Sequence, residues 1–426
     1  MKFRGGELMA KYSKTGLLIL GLQHAFTMFG ATVLVPYLTG VPVTVALFAA
    51  GVGTLLFHVL TKFKVPVFLG SSFAYIAPIN AVILYHANVP KTIASVPEAL
   101  EAGFAISPEA IAYATGGILI AGLVQVGIGY LIKRIGLAKF EKIFPPTVVG
   151  AIITVIGLNL APVAINMASS NWWLALVALG VAVIVRMYTK GFSRMLPVLS
   201  GIAAGYLVAA LTGNINFSGI AAAGWLGTPN FILPKFSWYS LMVLVPVAIA
   251  PTIEHFGDIF AVSAVTGEKF YEDPGIPRTL TGDGLATALA GFLGGPANTT
   301  YSENTGVLAL TKVFNPVVMR IAAVFAIILS FIPKVGAFIE SIPVAIMGGI
   351  EILLFGMIAA IGMKTLIDNR VKMDGKNLIT VAVMLVIGIG GAAINIGSVS
   401  FSGIGLAAIV GLILNGIFVL TNAKED

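Results

Sequence analysis

The sequence predicts an all-α polytopic membrane protein, with about fourteen transmembrane segments arranged as two inverted repeats of seven. Hydrophobic residues make up 58% of the 426 residues and charged residues only 10%. A soluble domain carries roughly 25% charged residues. The mean hydropathy is +0.99, and apolar runs long enough to cross a bilayer recur along the whole chain. The core of a soluble protein does not require so large a fraction of apolar residues.

The third and the tenth of the predicted spans are short. Each short span stands beside Gly, Pro, Ser or Thr residues, so we expect a short strand-like break inside it. No cleavable signal peptide is predicted. The spans cover residues 16–38, 42–61, 69–86, 110–132, 143–161, 171–189, 195–212, 239–262, 279–293, 299–313, 316–335, 343–363, 376–393 and 402–421.

The basic residues predict the orientation, because Lys and Arg concentrate in cytoplasmic loops. With the N-terminus inside, all but three of the 25 Lys and Arg residues fall on the cytoplasmic side; the exceptions are Lys91, Lys235 and Lys334. We therefore expect both termini in the cytoplasm. The net charge of +7 then reflects orientation in the plasma membrane rather than a nucleic-acid partner.

The two halves of the chain carry matching features. Gln23-His24 in span 1 corresponds to Glu254-His255 in span 8, and the polar break at 71–75 corresponds to the one at 298–303. Seven spans is an odd number, so the halves face opposite ways. We expect a first repeat at 1–213, a linker at 214–238 and a second repeat at 239–426. Inverted repeats with matching breaks are typical of secondary transporters; chance similarity between apolar segments is the alternative.

Two carboxylates, Glu254 and Asp258, share one helix face if span 8 is helical. Two charges this close in a low dielectric cannot both ionise at small cost. We therefore predict a site that loads a proton; a pair satisfied by local donors, with no transport role, is the alternative. His255 points elsewhere on the helix and is typical of a packing or hydrogen-bonding residue.

The two breaks are predicted to pair as short strands and so to satisfy their backbone groups. A helix should start after each break, capped by Ser71 or Ser72 and by Asn298. Phe73 would then offer a ring on which a planar solute stacks, while carboxylates, including Glu303, accept its N–H protons.

Other acidic and polar patterns predict less. Asp283 has the sequence context of a helix cap, and Glu351 could pair across the bundle, contact a domain boundary or face a second subunit. The chain has no Cys, which excludes disulfides and thiolate sites. No metal ligand set or nucleophile–base pair is recognisable, so we predict neither a metal site nor an enzyme.

At its polar motifs the chain resembles the nucleobase–ascorbate transporter family, and its uracil permeases in particular. The resemblance runs from about residue 16 to the end. It rests on Gln23-His24, Leu69-Gly70-Ser71-Ser72-Phe73-Ala74, Glu254-His255-x-Gly257, Pro296-x-Asn298-Thr299-Thr300-Tyr301, and Glu303-Asn304-x-Gly306 followed by Thr311-Lys312.

This resemblance implies a core domain from spans 1–4 and 8–11 and a gate domain from spans 5–7 and 12–14. It implies that Glu254 and Glu303 bind the pyrimidine ring, that Phe73 stacks on it, and that Tyr301 with Ser302 supplies backbone contacts. Residues in its motifs with a supporting role are Gln23, His24, Ser72 and Asn304. Family members drive uptake with protons rather than a cofactor, and they are often homodimers.

Two positions depart from the uracil branch. Asp258 stands where the best-known uracil permease has a second histidine, an arrangement also seen in purine-transporting relatives, and Phe355 replaces a gate-domain tyrosine. Asp258, with Glu254 and His255, is thus the expected proton-coupling group. We expect a proton-coupled nucleobase symporter, most closely matching uracil. A xanthine or uric acid permease and an anion transporter of the same architecture are the alternatives.

Overall fold

The computed structural model describes residues 14–90, 92–93, 95–136, 144–373, 375–396 and 399–421. Some basic residues that contribute to the predicted orientation lie outside these ranges: Lys2, Arg4, Lys11, Lys91, Lys139, Lys142 and Lys424. Within them the chain is helical, with two short two-stranded sheets.

The first half of the chain forms helices of very different lengths, and several begin with proline at the first turn, where its missing N–H costs nothing. Strand β1 (Leu69–Ser71) and a 3₁₀ turn (Phe73–Tyr75) come between the second and third helices. The helices are α1 (Lys14–Thr39), α2 (Val43–Leu60), α3 (Ile76–His86), α4 (Val96–Glu101), α5 (Pro108–Ile135), α6 (Pro146–Asn159), α7 (Ala161–Ser169), α8 (Trp172–Tyr188) and α9 (Pro197–Leu211).

The second half repeats the strand-then-helix pattern with β2 (Asn298–Thr300). A hairpin of β3 (Ala393–Ile396) and β4 (Val399–Ser402), which the sequence did not predict, lies before the last helix. The helices are α10 (Ser218–Ala222), α11 (Trp238–Leu244), α12 (Ile249–Thr266), α13 (Ile276–Leu293), α14 (Ser302–Thr311), α15 (Val317–Ser330), α16 (Pro333–Glu340), α17 (Val344–Asp368), α18 (Gly375–Ile389) and α19 (Gly403–Leu420).

Each predicted span contains at least one of these helices. Among the described residues, seven helical segments are long and apolar enough to cross a membrane alone, counting α6–α7 and α11–α12 as continuous. A further pair, α15 and α16, qualifies only together and is bent by 83°. The remaining apolar helices, such as α3 and α8, are shorter. The number fourteen therefore stays a prediction.

The helices pack into two groups. In the first, α5 lies against α13, α13 against α2, and α2 with α1 against α15. In the second, α17 lies against α6, α7 and α8, and α18 lies between α6 and α19. We call them the α13 group (α1–α3, α5 and α11–α15) and the α17 group (α6–α9 and α17–α19).

Close glycine contacts bring the central helices of each group together. A Cβ on Gly122 of α5 or on Gly284 of α13 would lie within 2.7 Å of the other residue's carbonyl oxygen. Gly150 of α6 and Gly362 of α17 stand in the same relation, within 2.8 Å. Small residues let backbones approach closely, which drives helix packing in lipid.

The outer surface of the molecule is apolar. Large hydrophobic side chains stand out from α8 and α9, among them Trp173 (69% exposed), Leu176 (54%) and Leu207 (60%). In water such a surface would favour aggregation, whereas in a bilayer it faces the hydrocarbon tails.

Candidate functional site

The two breaks meet inside the molecule, as predicted. Strands β1 and β2 pair antiparallel, with Leu69 opposite Thr300 and Ser71 opposite Asn298. The ladder continues at both ends, because the Ser72 amide donates to Ala297 O (2.8 Å) and the Tyr301 amide to Phe68 O (2.9 Å). All six strand residues are buried. The backbone groups of each break are thus satisfied by the other break.

Helix α12 places two carboxylates against this strand pair. Asp258 is buried and accepts a hydrogen bond from the Thr300 hydroxyl of β2, with Oγ1 2.7 Å from Oδ2. Glu254 is half-buried one turn earlier. Its electrostatic partners are Glu303 and Asp283, and Asp258 interacts in turn with Glu254 and Glu303. Acidic groups from three helices therefore converge next to β2.

Glu303 is the second residue of α14 and approaches the same place from the end of β2. It and Ser302 are exposed, although the strand just before them is buried. An opening in the molecule must therefore reach them. The cation with which Glu303 interacts is Arg186, near the end of α8. The carboxylates of Glu254, Asp258, Glu303 and the buried Asp283 thus interact with one another, and Glu303 also interacts with the positive charge of Arg186.

Tyr301 is predicted to offer backbone contacts to a substrate, but its amide and its hydroxyl already form hydrogen bonds within the protein. Its amide donates to Phe68 O, and its hydroxyl donates to Ser71 O at 3.0 Å. Its ring fills the space in which a side chain on Gly70 would lie. The Tyr301 amide is therefore not free for a ligand, and the side chain braces the strand pair.

Phe73 projects from the 3₁₀ turn after β1 and is half-buried. Its ring meets that of Phe355 from α17 edge to face, with centroids 6.4 Å apart and an interplanar angle of 79°. Phe355 is almost fully buried. This ring pair is one of the contacts between the α13 group and the α17 group.

The predicted supporting residues on α1 and α14 are joined. The side-chain amide of Asn304 donates to Nδ1 of His24 and to the His24 carbonyl oxygen, both at 3.1 Å. This contact holds the start of α14 against α1. Gln23 is half-buried, and its backbone carbonyl oxygen accepts a hydrogen bond from the Thr27 hydroxyl within α1.

His255 lies on the other side of α12 from the opening and belongs to a buried polar network. Its Nε2 lies 2.9 Å from the Thr279 hydroxyl, which itself donates to Ile276 O (3.1 Å). His255 therefore donates through Nε2, which leaves Nδ1 as an acceptor, 3.8 Å from Asp283 Oδ1. The other Asp283 oxygen accepts from Gln125 at 3.4 Å. The network fixes α12 on α13 and α5.

Two sequence interpretations are corrected here. Asp283 is not a helix cap, since it is fully buried in the body of α13, which begins at Ile276. The predicted serine and asparagine caps are also wrong, because neither following helix has a side-chain cap. The Ser71 hydroxyl instead donates to Thr32 O, and the Asn298 amide to Ala49 O, each at 3.0 Å. Neither helix start is therefore capped by the residue that the sequence predicts.

A cavity of about 480 Å³ lies between the two helix groups. Phe256, Gly257 and Phe260 of α12 form one wall, and residues from the first turn of α6 and the last turn of α17 form the other. The basic residues predict that these ends of α6 and α17 are cytoplasmic. A second cavity of about 250 Å³ is lined by residues of α3, α11 and α19, and no carboxylate lines either of these two cavities.

A permease family model matches residues 15–397 of the chain, a stretch that includes both breaks and all of the site. The chain belongs to the nucleobase–ascorbate transporter family. The family predicted from the motifs is thereby confirmed. A member of this permease family is a multi-pass membrane transporter and not an enzyme.

Curated relatives match over nearly the whole chain. A probable uracil permease of Pasteurella multocida is 42% identical over 416 residues, covering 95% of this chain and 94% of the relative. The uracil permease of Bacillus subtilis is 42% identical over 428 residues, covering 95% and 92%. That of Escherichia coli strain K12 is 36% identical over 414 residues, covering 94% and 91%.

Solved structures share the fold at low identity. The overall structure of SLC26A9 aligns with a TM-score of 0.68 and 13% identity, covering 97% of this chain and 67% of that one. The transmembrane domain of the cyanobacterial bicarbonate transporter BicA aligns with a TM-score of 0.62 and 15% identity, covering 98% of both chains. The predicted membrane fold class is thus confirmed.

Proposed function

We propose that the chain is a uracil permease that imports uracil together with a proton. The observation that carries this proposal is the convergence of Glu254, Asp258 and Glu303 on the paired breaks, in a chain about 40% identical to uracil permeases along its length. Uracil is a neutral planar ring with two N–H donors and two carbonyl acceptors. The site offers partners for each of these features.

The substrate would lie between the starts of α3 and α14. Glu254 and Glu303 accept the two ring N–H protons, and each charge-assisted bond is worth roughly 1.5–3 kcal/mol. The ring stacks on Phe73. The two helix starts carry partial positive charge, which suits the uracil carbonyl oxygens. Ser302 contributes at the start of α14.

Coupling to protons follows from the charge balance. The groups that interact with Glu254 and Asp258 are other carboxylates, together with one hydroxyl donor, Thr300. Three adjacent carboxylates inside a membrane protein do not all hold negative charge at small cost. One proton on the Glu254–Asp258 pair relieves the repulsion and allows the ring to bind. Each proton moved inward across 100 mV supplies about 2.3 kcal/mol.

The two helix groups would supply alternating access. In this proposal the α13 group is the core domain that carries the site, and the α17 group is the gate domain. The core moves against the gate, so that the site faces one side of the plasma membrane and then the other. Both termini lie in the cytoplasm, two copies form a homodimer, and the proton gradient takes the place of a cofactor.

Two observations keep a purine substrate as the second candidate. Asp258 and Phe355 are the positions at which this chain departs from the uracil branch. An anion transporter of the same fold remains the third candidate, but it would need a positive site, and the central acids oppose it. Uptake of labelled uracil, challenged with unlabelled xanthine, hypoxanthine and cytosine, tests the assignment. Uracil should compete best, and stronger competition by xanthine would transfer the proposal to purines.

A further inference from the structure

Glu351 is a buried carboxyl group outside the site described above. It lies in α17, its side chain is fully buried, and neither carboxyl oxygen has a hydrogen-bond partner among the described residues. An unpaired charge in such surroundings is strongly disfavoured. The carboxyl group is therefore neutral and carries a proton in this conformation.

The helices packed against α17 offer Glu351 almost nothing to pair with. Helices α6 and α7 contain no titratable residue. Helix α8 has Arg186 and Tyr188, both near its far end, while Tyr206 of α9 shares a hydrogen bond with Ser341. The titratable group that interacts with Glu351 is Tyr37 of α1, and a tyrosine supplies no positive charge.

Glu351 stands where the two helix groups are pressed together. One apolar cluster joins Leu34 and Leu38 of α1 to Met347 and Phe355 of α17, on either side of Glu351 along that helix. The Tyr37 hydroxyl donates across the same contact to Ile342 O, at 3.0 Å. The cavity between the groups lies at the opposite ends of α6 and α17. This half of the interface is thus closed while the other half is open.

We propose that Glu351 is a second proton-binding site, on the gate side, occupied when the α1–α17 contact is closed and emptied into water when that contact opens. The carboxyl O–H bond breaks on opening, and the proton passes to the water that enters. The same proton returns from the same side on closing, so it is not carried across the membrane. This inference rests on the alternating access of the proposed function.

Acid on that side of the membrane would accordingly favour the closed contact, and alkali would favour opening. Glu351 thereby differs from the Glu254–Asp258 pair, which lies on α12 in the α13 group. It would adjust how long the transporter faces the cytoplasm without changing the number of protons transported.

The chain has no native Cys, so one introduced thiol can report the opening. Leu38→Cys places it at a fully buried position of the closed contact. The rate of maleimide labelling is measured in detergent as the pH is raised, with Glu351 present and with Glu351→Gln. At each pH the rate with Glu351 is divided by the rate with Glu351→Gln, and this ratio cancels the effect of pH on the ionisation of the thiol itself. Glu340→Gln, an exposed acid on α16, is the matched control.

The ratio should rise with pH by up to about tenfold per unit, the slope for one linked proton. In the control, the rate with Glu340 divided by the rate with Glu340→Gln, both in the Leu38→Cys chain, should not change with pH. A ratio near one at every pH would overturn the inference. Glu351→Leu also cannot ionise, so its labelling rate divided by that of Glu351→Gln should not change with pH. A rise of this second ratio with pH would equally overturn the inference.

Uracil binding to the same samples separates this inference from the proposed function. If the protein binds uracil but the labelling ratio does not change with pH, the role of Glu351 is refuted and the proposed function is not. Absence of uracil binding refutes the proposed substrate, whatever the labelling shows.

Discussion

The hydroxyl of Thr300 donates to the carboxylate of Asp258 across 2.7 Å, and this bond joins strand β2 to helix α12. The strand leads directly into α14, which carries Glu303, and the helix carries Glu254. A change in the proton on Asp258 therefore acts on the same backbone that positions both proposed uracil ligands. The bond between Thr300 and Asp258 thus links the proposed proton site to the proposed uracil site.

Thr300→Val keeps the shape of the side chain and removes this donor. A hydrogen bond to a charged group is worth roughly 1.5–3 kcal/mol, so we expect proton-driven uracil accumulation to fall by about 10- to 100-fold. Thr299→Val is the matched control, because the Thr299 hydroxyl is buried without a partner among the described residues. Equal loss in both variants would show that the strand, rather than the bond to Asp258, was damaged.

Asp258→Asn should separate binding from coupling. The amide keeps an oxygen that accepts from Thr300 but cannot exchange a proton. Uracil binding should persist, and accumulation against a gradient should be lost while uracil–uracil exchange continues. Binding is measured on the purified protein, and accumulation and exchange are measured in proteoliposomes. Accumulation at the native level would remove Asp258 from the mechanism.

Phe73→Ala removes the proposed stacking surface. Stacking of a base on an aromatic side chain is worth about 1–3 kcal/mol, so the dissociation constant for uracil should rise by roughly 5- to 150-fold. Phe73→Tyr keeps the ring and should bind uracil within a few-fold of the native chain. The stacking role fails if the alanine variant binds as tightly as the tyrosine variant. Equilibrium binding of labelled uracil provides the comparison.

Asn304→Ala should destabilise the protein as well as the site. It leaves the buried Nδ1 of His24 without its donor and removes a second bond to the His24 backbone carbonyl oxygen, and an unsatisfied buried group costs about 1–3 kcal/mol. We expect a lower unfolding temperature in detergent. The control is Asn214→Ala, at an exposed asparagine whose side-chain amide donates to Thr212. An unchanged unfolding temperature for Asn304→Ala would contradict the proposed brace.

Much of this architecture could be predicted from the sequence. The cost of backbone polar groups in lipid makes interrupted spans rare, so the breaks at 71–75 and 298–303 stood out, and their pairing followed. The charges Glu254, Asp258 and Glu303 stood out for the same reason. These signals are strong because hydrocarbon penalises every exception to an apolar helix.

Other features depend on side-chain directions that the sequence does not contain. Asp283 lay within a Thr-Gly-Asp-Gly stretch that is typical of a helix start, yet α13 begins seven residues earlier, at Ile276, and the carboxyl group turns inward. The caps were mispredicted because Ser71 and Asn298 found carbonyl partners on α1 and α2. The link between Thr300 and Asp258 joins residues 42 positions apart, and no local pattern marks it.

The measurement that bears most directly on the proposed function is uracil binding to Glu303→Ala. Glu303 is exposed at the start of α14, so its loss disturbs no packing, and it is one of two proposed acceptors for the ring. Labelled uracil should bind the native chain and the Glu340→Ala control alike, and should not bind Glu303→Ala detectably. Binding of uracil to Glu303→Ala with native affinity would contradict the site.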